Sequence, residues 1–60
     1  VENLGIGDRI IVTCVSSLFE GYKGEVLKRD RFYVHVQLDN HPYIEKFTKD
    51  EIEIIEKVRL

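Results

Sequence analysis

Phe32-Tyr33-Val34-His35-Val36-Gln37-Leu38 is the stretch that decides the fold. Its side chains alternate between apolar and polar character, the period of a strand with one face in a core. Phe32, Val34, Val36 and Leu38 are expected inward, and Tyr33, His35 and Gln37 outward. Turn-forming residues bound it on both sides, Asp30-Arg31 before and Asp39-Asn40-His41-Pro42 after. Moving outward, Tyr22 to Lys28 predicts a preceding strand centred on Gly24 and Val26, and Tyr43 to Phe47 a short following one with Ile44 or Phe47 inside. Arg9 to Val15 is β-branched and apolar on both faces, predicting a first strand with Ile10, Val12 and Cys14 on the core side. Thr48-Lys49-Asp50-Glu51 has capping-box spacing, but only Ile52 follows before alternation resumes. That pattern predicts a single 3-10 turn and then a last strand, Ile52 to Ile55.

Composition agrees with the pattern. Among 60 residues there is no Ala, Met or Trp, whereas Val and Ile number seven each. Such a chain favours pleated surfaces over helices. Residues 1–60 make a single domain, with 1–6 as a lead-in and 57–60 as a frayed tail. Five short strands predict an all-β barrel, whose closure would remove exposed strand edges. A chain this small has no room for a deep substrate pocket beside its core, so catalysis is not expected. It opens on Val1 rather than Met, as an excised or trimmed domain would.

Chemistry-bearing patterns are few. Cys14 is the only cysteine, which excludes an internal disulfide and fits a reducing, cytoplasmic setting; its apolar surroundings predict a buried structural thiol. His35, His41 and Cys14 lack zinc-ligand spacing, so no metal is expected. Ser16 and Ser17 have no triad partners, and Gly5-x-Gly7 opens a strand rather than a phosphate-binding helix, so no cofactor is expected either. No run approaches a membrane span. The net charge of −2 disfavours a dedicated nucleic-acid binder, although Lys28-Arg29-Asp30-Arg31 is locally basic, while Asp50, Glu51, Glu53 and Glu56 concentrate the acid.

Gly7-Asp8-Arg9-Ile10-Ile11-Val12 followed by Phe19-Glu20-Gly21-Tyr22-Lys23-Gly24-Glu25-Val26 resembles the KOW motif of SH3-like barrels. In that motif a Gly-Asp-x-Val start leads through a strand and loop to Gly-x-x-Gly-x-Val. Physically, Gly21 would supply a positive φ at the loop exit and Gly24 would let a strand bend sharply. The ending, Phe47 through Glu51-Ile52-Glu53-Ile54-Ile55, is similar to the last strands of the ferredoxin–thioredoxin reductase variable chain and of small SH3-like subunits that help ferredoxin dock. The resemblance implies a five-stranded SH3-like barrel over roughly residues 7–55. On such a barrel Phe19, Tyr22, Tyr33 and Tyr43 would share one exterior side, with Lys28, Arg29 and Arg31 beside them. Phe19 could alternatively plug the barrel end. These seven residues are the expected partner-binding set. The first expectation is a non-catalytic protein-interaction adaptor or accessory domain of a larger assembly. The alternative is a KOW-type nucleic-acid-associated domain of transcription or translation machinery.

Overall fold

A computed structural model describes residues 4–58. They form five strands, β1 (Arg9–Val12), β2 (Lys23–Arg29), β3 (Val34–Leu38), β4 (Ile44–Phe47) and β5 (Ile52–Glu56), with a 3-10 turn at Lys49–Glu51. The all-β expectation holds. Every pairing is antiparallel, in the order β4-β3-β2-β1-β5. The inward residues of all five strands meet in one core of Leu4, Ile10, Val12, Val26, Val34, Val36, Leu38, Phe47 and Ile52. On β4 it is Phe47 that turns inside, while Ile44 stays exposed.

Two glycines permit the curvature. Gly24 lies opposite both Ile10 and Leu38, and a Cβ there would sit 2.6 Å from the Gln37 carbonyl oxygen and 2.7 Å from Val36 Cγ1. No side chain fits, so β2 crosses β3 at close range. Gly21 has φ +88°, as its loop-exit position requires, and its N–H donates to the Val12 carbonyl at 2.8 Å to close the β1–β2 loop. At the β3–β4 turn Asn40 takes φ 60°, a conformation its short polar side chain tolerates.

Asp8 is the one fully buried charged residue among those described. Its carboxylate accepts from Lys57 Nζ at 2.7 Å, the Gly5 N–H at 2.8 Å and the Val58 N–H at 2.9 Å. The Lys57 hydrogen bond leads in holding its pKa at about 2, with the two backbone donors helping and desolvation opposing. The Asp of the Gly-Asp motif is thus a clamp between the two ends of the described chain. Lys57 and Val58, the first residues of the expected tail, are both bonded to this carboxylate; residues 59–60, like 1–3 of the lead-in, lie outside the described residues.

Four further expectations are corrected. β1 stops at Val12 because Thr13 and Cys14 turn their N–H groups to the Glu51 carbonyl, at 2.9 and 3.3 Å. Cys14 is therefore only half-buried, with its Sγ 3.3 Å from Ser16 Oγ. Phe32 is 68% exposed, since Asp30 N–H bonds to the Tyr33 carbonyl at 2.7 Å and leaves Arg31 and Phe32 at the tip of a tight turn. The sheet also keeps two edges, β4 and β5, instead of closing on itself. Between them the 3-10 turn is held as its sequence predicts: Glu51 Oε1 accepts from the Thr48 N–H at 2.9 Å, although the Thr48 hydroxyl goes to Asp50 at 2.7 Å.

Candidate functional site

The site begins with a register slip in β2. Val26 lies opposite Val36, but the next pair is Lys28 with His35, which leaves Leu27 as an extra, bulged residue. Strict alternation from the buried Val26 would send Lys28 inward. The bulge returns it to the outer face. His35 pairs in turn with Lys46, so Lys28, His35 and Lys46 form one outward row across β2, β3 and β4.

Tyr33 stands on the same face, with Lys46 Nζ 5.5 Å from its ring centroid. At the turn tip the Arg31 guanidinium lies 5.9 Å from the Phe32 centroid. Both contacts are within cation–π range. Asp30 is the carboxylate of this turn, 2.8 Å from His35 Nε2. That hydrogen bond lowers its pKa most, and the fields of His35, Lys28 and Lys46 add to it against desolvation. Arg29, at the end of β2, is exposed but lies opposite the inward Val34, on the other side of the sheet from this row. The face therefore offers cations spaced around two accessible rings. Chemically that suits an anion attached to a flat group.

The seven expected residues do not share one side. Lys28, Arg29, Arg31 and Tyr33 gather at the β2–β3 turn, whereas Phe19, Tyr22 and Tyr43 lie toward the opposite end of β3. There Phe19 is half-buried against the core, the plugging role, and meets His41, Tyr22 and Phe47 edge-on at 5.2, 5.6 and 6.2 Å between centroids. Tyr43 reaches the cluster through His41, at 6.1 Å. His41 is oriented by Glu45, whose Oε2 is 2.7 Å from its Nε2, and by Gln37, whose amide donates to the His41 carbonyl at 2.6 Å.

Sequence reasoning missed Lys46, Phe32 and His41 as site residues. Lys46 needed the β3–β4 register, which local pattern does not supply. Phe32 was hidden by an alternation that runs on past the end of its strand. Among the described residues no three His, Cys, Asp or Glu side chains come together to hold a metal, and no helix is long and apolar enough to cross a membrane.

With this geometry in place, one solved structure is informative. The chain is similar to one in the crystal structure of the MjSpt4:Spt5 complex, conformation B. The likeness has a TM-score of 0.84 at 22% identity and covers 98% of this chain. It is a likeness of fold, and this chain spans 42% of the length of that neighbour. No family model matches the chain, and no curated protein matches it.

Proposed function

We propose that this chain is a non-catalytic KOW-type module of the transcription machinery, held within a larger protein assembly and presenting the β2–β4 outer face to nucleic acid. The observation that carries the reading is the row Lys28–His35–Lys46 with Arg31, Phe32 and Tyr33 at its end. Cations would neutralise phosphates and the exposed rings would stack on bases. Two further supports are the KOW-like glycine pattern and the fold shared with a chain of the Spt4:Spt5 complex. The net charge of −2 is compatible with this role because Asp50, Glu51, Glu53 and Glu56 lie on the 3-10 turn and β5, off the β2–β4 face.

The adaptor reading moves to second place but keeps an observation of its own. Val15 and Leu18, on the β1–β2 loop, are 81% and 91% exposed, apolar area suited to a protein neighbour. An intracellular, reducing setting belongs to either proposal.

A mobility-shift assay with RNA and DNA oligonucleotides over a salt series tests the first reading. Binding is expected to weaken with salt, with a log–log slope of about 0.7 per neutralised phosphate on a single strand. Lys28→Glu with Arg31→Glu is expected to abolish it. Absence of binding at low salt overturns the reading.

A further inference from the structure

The two free edges of the sheet are not equivalent. On β4, Glu45 lies opposite Val36 and therefore on the core side, a charge that discourages another strand from pairing there. On β5 the core-side positions are Ile52 and Ile54, opposite Val12 and Ile10. Both are apolar. Ile52 is buried, but Ile54 remains 36% exposed at the sheet margin.

The backbone of this edge follows from the bonds of β1. The Val12 N–H donates to the Tyr22 carbonyl and the Val12 carbonyl accepts from Gly21, so its hydrogen-bonding groups point to the β2 side. Its partner Ile52 then aims its own N–H and C=O away from β1, and by antiparallel alternation so does Ile54, whereas Glu53 bonds inward to Ile11. No described strand pairs with these outward groups. Beyond Ile54 the bulge opposite Arg9 and Ile10 twists β5, which limits the straight edge to Ile52–Ile54.

Charge selects the occupant. Glu53 projects from the outer face of this edge, with Asp50 and Glu51 just before it and Glu56 just after. A nucleic acid would be repelled. A second copy of the chain paired through the same edge would set these carboxylates against one another. We infer that β5 accepts an extended basic segment of a partner protein as a sixth strand, with apolar side chains beside Ile54 and lysine or arginine beside Glu53. Main-chain bonds to Ile52 and Ile54 would supply affinity, and the alternation would supply selectivity. This edge is separate from the β2–β4 face, so it stands whether or not that face binds nucleic acid.

The test is a titration of the isotope-labelled chain with a synthetic peptide of alternating valine and lysine, about eight residues long. Saturable amide shifts confined to β5 and β1 are expected, with slowed hydrogen exchange at Ile52 and Ile54. Glu53→Lys is expected to weaken binding about ten-fold. Ile54→Pro removes an outward N–H that makes no bond within the sheet, so the fold is expected to survive and peptide binding to vanish. The same peptide N-methylated at alternate residues keeps its charge and is expected not to bind, a control that does not depend on the stability of the proline variant. Shifts mapping to the β2–β4 face, no saturable binding, or undiminished binding of the N-methylated peptide would each overturn the inference.

Discussion

Asp8 keeps its charge at full burial because three donors converge on it, and this ties stability to pH. With the folded pKa at about 2 and the ordinary value at 3.8, its contribution is complete above the ordinary value and is lost as pH falls from there through about 2. Asp8→Asn is expected to flatten the acid limb of a urea-unfolding series over this window. Asp8→Ala removes the acceptor shared by the Gly5 and Val58 N–H groups and is expected to lower Tm by about 10 °C at neutral pH. Gly24 poses the converse problem, of space rather than charge. The atoms nearest a Cβ include backbone of β3, which has no rotamer to move, so Gly24→Val is expected to cost about 3 kcal/mol by chemical denaturation. An unchanged Tm in that variant would contradict the close crossing of β2 and β3.

At the scale of elements the bulge in β2 decides which face the residues after Val26 occupy. Deleting Leu27 would set Lys28 directly after Val26, still outward and opposite His35, so the outer row is expected to persist with the folded circular-dichroism spectrum, at a somewhat lower Tm because β2 loses its local twist. Leu27→Ala keeps the register, and because this side chain is exposed it is expected to change stability by less than about 1 kcal/mol. Nothing in Val26-Leu27-Lys28-Arg29 announces the bulge, since the slip is settled by how β2 meets β3 rather than by local preference. By contrast, β3 was legible from Val34 to Leu38 because burial on one face imposes alternation directly. The same rule overran at Phe32, where the turn bond from Asp30 to Tyr33 takes over, and at Cys14, where the chain leaves β2 for the Glu51 carbonyl. The Thr48–Glu51 turn and the positive φ of Gly21 were legible because each rests on a few adjacent residues. The partners of Asp8 were not, lying 49 and 50 positions away at Lys57 and Val58. The candidate site was read in halves for the same reason: the basic turn is contiguous in sequence, and its union with Lys46 exists only across strands.

On the whole molecule, charge is unevenly spread, although Asp30 lies within the basic turn and Lys49 within the acidic one. The cations Lys28, Arg29, Arg31 and Lys46 gather around the β2–β3 turn, and the carboxylates Asp50, Glu51, Glu53 and Glu56 lie along the 3-10 turn and β5. Lys28→Glu is expected to weaken binding to all nucleic-acid sequences alike and to reduce the salt slope by about 0.7, as measured by fluorescence anisotropy. Glu53→Lys, on the other side, is expected to leave the need for Arg31 unchanged. The clamp at Asp8 has a mechanical meaning at this scale as well. β1 and β5 are antiparallel neighbours, and Arg9 at the start of one lies opposite Glu56 at the end of the other. Tension applied through the two ends of the chain would peel this pair open one rung at a time, the weakest direction in which to load a sheet. The buried carboxylate joins Gly5 to Lys57 and Val58 ahead of the first rung, so it must break before any strand is drawn out. Acid that protonates it would lower the force at which the sheet unzips.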